Sequence, residues 1–555
     1  MLATSNAPFL RAVGPLNAKI VIVTEFATAD DLWRGYPLAG NAGVSFDSFL
    51  HEAGIIRAEC RLTAVLKTRV PGDATHQLFT QNKALAGRLS MHKVVAETYV
   101  VGELPARLDA FHAEIAQLSP TVIIALGELA LFALTDIYGS IDTWRGSHLA
   151  YTRNPAITVI PTYAPQAVFP RWEVKNFCVR DLQRARAVAQ APELYVQPKY
   201  QFTIRPSFQQ VTERLQALIA SAEMGELWLS CDVETISRTL SCVGIAWSVR
   251  EALCIPLLTI EGNYWQVEEE VTIQLLLKEL LTHPNARIIG QNFNYDNQYF
   301  AKFLGYLPRL AFDTMIAQHT LFPGIPKALD FLSSLYCHWH RYWKDEMNDY
   351  SRLPENLEQY WSYNCKDCVT TFEVARVLQG LLEYFERTEQ YAFMHETGNS
   401  ALRAMLRGMR IDQKARTAIA VELMKAIAEH EALIQEIVGF PINVNSPKQM
   451  VDYFYGELKL PIQRDKKTRQ PTLSAKVIPA LVKAEPLVGQ LMELIEKKRS
   501  LGVFLKTFCL MRLSEDGRMR CSFNVCGTET FRFSSSTDAF GTGGNLQNIP
   551  KGDEE

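Results

Sequence analysis

Apolar and polar positions follow three rhythms along this chain. Over residues 1–190 short apolar runs are interleaved with helical patterns. Lys19–Val23 (KIVIV) and Thr121–Leu126 (TVIIAL) are nearly unbroken apolar runs, the mark of parallel strands buried on both faces. Gly127 then opens the helical stretch ELALFAL, so the first block predicts an α/β sandwich. Residues 191–206 carry three prolines and few periodic apolar positions, and predict a linker. A second block opens at 207. Ser207 and Gln210 form a capping box, Val211, Leu215, Leu218 and Ala222 make one helical stripe, and Gly225 ends it. Strands are predicted over 227–233, 240–249 and 251–258, with a tight turn at Arg250. A helix near 267–281, a strand Ala286–Gly290 and further helices follow, which together predict a mixed sheet. Beyond 390 the pattern is helical. Ser446-Pro447 with Gln449 is a helix start with proline at the first helical position, and 482–511 predicts one or two long helices with a basic face. From Gly517 the chain becomes strand- and loop-like.

A chain of 555 residues exceeds one core and predicts three or four domains. No apolar run approaches the roughly 18–20 residues that span a bilayer, and the first residues do not read as a signal peptide, so no membrane is expected. Eleven cysteines without framework spacing suggest reduced thiols and a cytoplasmic setting. A net charge of −3 does not announce a nucleic-acid binder. Locally, Lys459–Arg520 holds 14 Lys/Arg against 6 Asp/Glu, which suits either phosphate tracking or a solvated helical surface.

Three short segments carry candidate chemistry. In Asp232-Val233-Glu234-Thr235, strand alternation puts two carboxylates on one face. Gly290-Gln291-Asn292-Phe293-Asn294-Tyr295-Asp296 runs from a strand into a helix. In Tyr363-Asn364-Cys365-Lys366-Asp367, helical spacing turns the Tyr363 hydroxyl and the Asp367 carboxylate the same way. Gathered carboxylates suit divalent cations with oxygen ligands. Two such ions about 4 Å apart activate water and stabilise both oxygens of a phosphodiester cleavage. The Cys365–Cys368 pair lies on one helix with no second pair and reads as packing. Cys337-His338-Trp339-His340 reads as core or surface, because histidines two apart on a helix diverge.

These motifs, in this order, resemble the Exo I, II and III motifs of DnaQ-like (DEDDy) exonucleases, above all the proofreading domain of family A DNA polymerases. The resemblance covers about 207–390, including Phe312-Asp313-Thr314 and Lys327-Ala328-Leu329-Asp330 through Tyr342-Trp343-Lys344-Asp345. It implies an RNase H-like domain that removes nucleotides from DNA 3′ ends with two Mg²⁺ or Mn²⁺ ions. It further implies that Asp232 binds both metals, that Glu234 and Asp367 flank the one carrying the nucleophile, and that Asp296 holds the second partly through water. Tyr363 would position the attacking water, and Asn292 would touch DNA.

The last third extends the likeness. Asn443-Val444-Asn445-Ser446-Pro447-Lys448-Gln449 resembles a family A element, and Glu496-Lys497-Lys498-Arg499 with Lys506 resembles the basic thumb helix. Gly527–Ser535 and Gly544–Pro550 are similar to the family's primer-contact element, with Phe531 and Gly544 departing from it and an insert between the halves. The resemblance implies DNA contacts by Lys498, Arg499, Lys506, Arg532, Asn545, Gln547 and Asn548. The expected layout is a helical palm-entry and thumb region over 391–526 and the start of a palm over 527–555. The polymerising carboxylates and the fingers follow this element in the family. The chain alone is therefore expected not to polymerise, being either a truncated form or, the favoured expectation, half of a split bacteriophage polymerase whose second polypeptide supplies them. A free-standing exonuclease and a non-catalytic subunit that assembles with replisome proteins are the alternatives.

Residues 18–185 resemble the uracil-DNA glycosylase superfamily, with a three-layer α/β/α sandwich. The likeness rests on Thr24–Thr28, Gly35–Gly43, Leu62–Lys67, the strand TVIIALG, Trp144-Arg145-Gly146 and Pro161–Pro165. Of the first motif only Glu25 remains. The uracil-reading asparagine falls at Ala64, the motif histidine at Ala164, and the cysteines of an iron–sulfur cluster are missing. A flipped base is held by its polar edge, so this domain is expected to be non-catalytic, a DNA clamp or docking surface, and to lack the cluster; a glycosylase with altered base choice is the alternative.

Overall fold

In the computed structural model, which describes residues 9–70, 78–88, 91–95, 98–347, 352–465, 469–474 and 477–549, the apolar runs of the first block become a five-stranded sheet. Its strands are β1 (Ile20–Phe26), β2 (Arg61–Leu66), β3 (Val122–Leu126), β4 (Leu149–Tyr151) and β5 (Asn154–Thr162), in the order β2-β1-β3-β5-β4. All pairs are parallel except β4–β5. Every residue of β3 is buried, which is why its sequence shows no alternation. The predicted helix after Gly127 is α1 (Glu128–Thr135), and α2 (Lys175–Gln190) packs against β3 and β5.

The second block forms a six-stranded mixed sheet: β6 (Gln201–Thr203), β7 (Leu227–Ile236), β8 (Thr239–Ala246), β9 (Glu251–Pro256), β10 (Ala286–Gly290) and β11 (Leu310–Asp313), ordered β11-β10-β7-β8-β9-β6. Two features differ from the sequence reading. The edge strand β6 lies inside the stretch expected as a linker and pairs in parallel with β9; three residues are too few to show a period. β7 runs on to Ile236 and turns into β8 through Ser237 and Arg238, both at positive φ (51° and 66°). Two such residues give the twist a tight hairpin needs, without the Asn-Gly pair that would have announced it. The capping box of Ser207 and Gln210 opens α3 (Phe208–Met224) as predicted, with Val211, Leu215, Leu218 and Ala222 buried. The site-bearing helices are α4 (Asn294–Tyr299), α5 (Leu329–Tyr336) and α6 (Leu357–Tyr384).

The chain packs as two compact units, Met1–Asp296 with Phe303–Ala392, and Asn297–Lys302 with Phe393–Glu555. Both of these sheets lie in the first unit. In the second, α7 (Gln413–Val438) packs on α8 (Leu487–Phe504) around Ile434, Leu491, Met492 and Ile495. Over 482–511, where one or two long helices are expected, a short helix ends at Ala484 and α8 begins after Pro486, where proline lacks the amide a continuing helix needs. Ser446 caps Pro447–Val451 as predicted. No helix among the described residues is long and apolar enough to cross a membrane.

Candidate active site

Asp232 and Glu234 leave β7 on one face, as a strand period of two requires. A register irregularity follows Glu234, a distortion of the kind that re-aims side chains beside functional sites. The neighbouring strand presents Gly244 opposite Asp232. A Cβ at Gly244 would lie 2.7 Å from Cys368 Sγ and also clash with Asn364 Oδ1, both on α6. Glycine therefore lets the helix approach the sheet. Asn364 Nδ2 donates to Asp232 Oδ2 (2.9 Å), and Asp367, one turn on, reaches the strand carboxylates. Ligand oxygens of Asp232, Glu234 and Asp367 all lie within 4.8 Å of one another.

Asp296 stands beside this trio rather than in it: its Oδ1 accepts from Val233 N–H (3.0 Å). It is carried by the turn from β10 into α4, where Asn292 is exposed at φ 55°. One carboxylate holds that turn: Asp313 accepts from the backbone N–H of Asn292, Phe293, Met315 and Ile316.

Two residues to which the sequence reading gave no role complete the site. Trp343 Nε1 donates to Asp367 Oδ1 (2.7 Å), and Lys344 Nζ donates to Asp367 Oδ2 (2.6 Å) and to the Tyr363 hydroxyl (2.6 Å). Burial, then the charge of Asp367, lifts the Asp232 carboxyl to about 8, against Lys344 and Asn364. Burial and the charges of Asp232 and Asp367 push Glu234 well up, and burial and Asp232 do the same to Asp296. Burial works against the charge on Lys344, but Asp367 and then Asp232 and Glu234 hold it above the usual lysine range. Four carboxylates with one ammonium form a site short of positive charge, and its donors are the hard oxygens that divalent cations prefer. Cys365 and Cys368 are buried on α6.

The remaining site candidates are scattered. In the second unit Lys506, Arg532, Gln547 and Asn548 are exposed, and Asn545 Oδ1 caps the turn at Gln547 N–H (3.0 Å). Lys498 and Arg499 differ from expectation. Lys498 is 7% exposed and pairs with Glu431 of α7 (3.0 Å), while Arg499 Nε donates to the Val444 carbonyl (2.9 Å). Both tie the helix to its own surroundings. Phe531, where the resembling family has glycine, takes the left-handed φ of 61°. In the first unit Ala64 lies in a small apolar cluster with Leu10 and Ala27, Glu25 Oε1 accepts from Leu129 N–H of α1 (2.9 Å), and Ala164 precedes the short helix Pro165–Val168.

Comparison with known families falls into the same parts. Residues 12–183 match the uracil DNA glycosylase superfamily, 209–383 a 3′–5′ exonuclease family, and 413–555 DNA polymerase family A. The chain therefore combines a glycosylase-like domain, a 3′–5′ exonuclease domain and part of a family A DNA polymerase domain. DNA polymerase I of Borreliella burgdorferi is 25% identical over 357 residues, 61% of this chain and 37% of that protein. The thermostable DNA polymerase I of Thermus aquaticus is 30% identical over 204 residues, 37% of this chain and 21% of that protein. The chain thus spans well under two-thirds of the length of the curated relatives it matches. The POL domain of Pol1 from M. smegmatis, in complex with DNA primer-template and dNTP, overlaps 64% of this chain and 56% of its own at 18% identity and a TM-score of 0.45, too slight a likeness to bear on function.

Proposed function

We propose that the exonuclease domain removes nucleotides from DNA 3′ ends, proofreading for a family A replicative polymerase. The observation that carries this is the convergence of Asp232, Glu234 and Asp367 within 4.8 Å, inside the stretch that matches 3′–5′ exonucleases. The residues fit Mg²⁺ or Mn²⁺: Asp232, Glu234 and Asp367 would hold such ions directly and Asp296 partly through water. When bound, two ions supply an activated water and stabilise the attacking and leaving oxygens. Tyr363 orients the water through its hydroxyl, and Asn292 meets the 3′-terminal nucleotide. The chain should shorten single-stranded and mismatched 3′ ends in Mg²⁺ and release mononucleotides. Asp232→Ala and Asp367→Ala should each lose about 10³-fold in rate with unchanged circular dichroism; undiminished cutting by both variants would sink the assignment.

The second unit binds primer-template through its exposed groups Lys506, Arg532, Gln547 and Asn548, with Lys498 and Arg499 shaping the helix instead. The setting is a reducing one such as a bacterial cytoplasm, which suits eleven free, buried cysteines. The glycosylase-like domain does not excise uracil, because its pocket positions offer Ala64 among apolar neighbours and Ala164 in place of polar readers. Alkali-labile cleavage of uracil-containing oligonucleotides that tracks the protein through purification and disappears in Glu25→Ala would refute this.

A further inference from the structure

The segment that delivers Trp343 and Lys344 to the exonuclease carboxylates has little regular structure of its own. From Cys337 to Trp343 it is coil, followed by one short 3₁₀ turn, Lys344–Glu346. The exonuclease domain holds it through Ser333 Oγ to His340 Nδ1 (2.9 Å) and His338 N–H to Glu373 (2.8 Å), and the glycosylase-like domain holds it at more points. Arg184 donates to the Cys337 carbonyl (2.8 Å), and Arg180 to that of Leu335 (3.1 Å). His148 N–H donates to the His340 carbonyl (2.7 Å), and His340 N–H to His148 Nδ1 (3.3 Å). Tyr342 N–H donates to Ser147 Oγ (3.1 Å), while the Tyr342 ring meets Trp144 edge-on at 5.1 Å. Ser147, His148 and His340 are buried, so these bonds form away from competing water, where losing one leaves a partner unsatisfied. One residue past the last anchor, Trp343 and Lys344 make their three bonds to Asp367 and Tyr363.

We propose that the glycosylase-like domain is the brace of the exonuclease site: it holds the 337–343 segment so that Trp343 and Lys344 fix the orientation of Asp367 and Tyr363. The domain thereby has a use that needs none of its pocket residues. Lys344 is a positioning residue. Its ammonium partners the carboxylate oxygen for which an incoming divalent cation must compete, so it keeps the crowded acidic cluster assembled at the cost of weaker metal binding. Releasing it should tighten metal binding and slow turnover together. General loosening of the domain would weaken both.

This rests on the exonuclease reading, and the test separates the two. The full chain carrying Trp144→Leu with Ser147→Ala is compared with Lys344→Met, with Lys344→Arg and with the triple variant. Exonuclease kinetics are measured on a single-stranded oligonucleotide, and Mn²⁺ binding by calorimetry. The brace predicts that the double variant loses roughly tenfold in kcat at unchanged KM, and binds Mn²⁺ at least about threefold more tightly, as Lys344→Met does. Lys344→Arg should retain most of the turnover. Adding Lys344→Met to the double variant should change neither number further, since both act through one contact. Wild-type kcat and Mn²⁺ affinity in a folded double variant, weakened Mn²⁺ binding, or effects that multiply in the triple variant would overturn it. If the wild-type chain and Asp232→Ala degrade DNA equally, the exonuclease reading falls, and the Mn²⁺ titration still decides the brace.

Discussion

Glu25 shows what burial does to a single carboxyl group. Burial lifts its carboxyl to about 7 against the bond from Leu129 N–H, and the nearby charge of Glu128 adds to the rise. A folded-state value above the ordinary 4.5 means that the folded chain holds this proton more tightly than the unfolded chain. The group's stabilisation is therefore complete below pH 4.5 and falls away by up to about 3 kcal/mol as pH rises through 7. Glu25→Gln keeps an oxygen for Leu129 and removes the titration. It should match the wild type at pH 4 and exceed it in urea midpoint at pH 8; a variant weakened equally at both values would contradict this. The residue scale also marks how far the sequence was legible. Asp232 with Glu234, and Tyr363 with Asp367, are separated by a strand period and a helix period, so their shared faces followed from spacing. Trp343 and Lys344 arrive from irregular backbone, where no period points a side chain. Lys498 and Arg499 were legible as charges, but sequence does not distinguish a solvated cation from one already paired with Glu431 or Val444.

At the scale of elements, the site depends on how closely α6 lies on β8. Helix and strands were each readable from their apolar spacing; the distance between them was not, because it is set by a missing side chain. Glycine within a strand interior weakens that strand, so its presence at Gly244 calls for a compensating gain. The gain is the approach that lets Asn364 reach Asp232 and brings Asp367 into the carboxylate trio. Gly244→Ala should push Cys368 and Asn364 outward. It should cost about 1–3 kcal/mol by overpacking and lower exonuclease turnover, although alanine suits a strand better. Gly244→Val should be worse on both counts despite its higher strand propensity. Chemical denaturation and rate measurements on the two variants decide the matter, and wild-type stability and activity in Gly244→Ala would show that close approach is not the glycine's purpose. The edge strand β6 and the Ser237–Arg238 hairpin escaped the sequence for the opposite reason: each is made by too few residues for any pattern to register.

On the scale of the whole molecule, the two larger sheets of the first unit are linked through a buried ionic group rooted in the glycosylase-like domain. Arg145 pairs with Asp181 inside the glycosylase-like domain and donates to Ser334 Oγ on α5 of the exonuclease domain (2.7 Å); Arg184 donates to Gly146 on one side and Cys337 on the other. Arg145, Asp181 and Arg184 are each at most 4% exposed. Buried charges are tolerated only when paired, and removing one partner leaves the other uncompensated at a cost of about 3–5 kcal/mol. Because the arginines are shared, that cost should not stay on one side. Arg145→Ala is expected to lower protection from hydrogen exchange both in β3 and in β10, as one cooperative loss, while α7 and α8 of the second unit keep theirs. Arg145→Met combined with Asp181→Leu removes both charges and should recover much of the loss. If Arg145→Ala loosens β3 and leaves β10 untouched, the two sheets are independent bodies that happen to touch. If both fall together and the charge-free pair restores both, the glycosylase-like and exonuclease parts fold as one object.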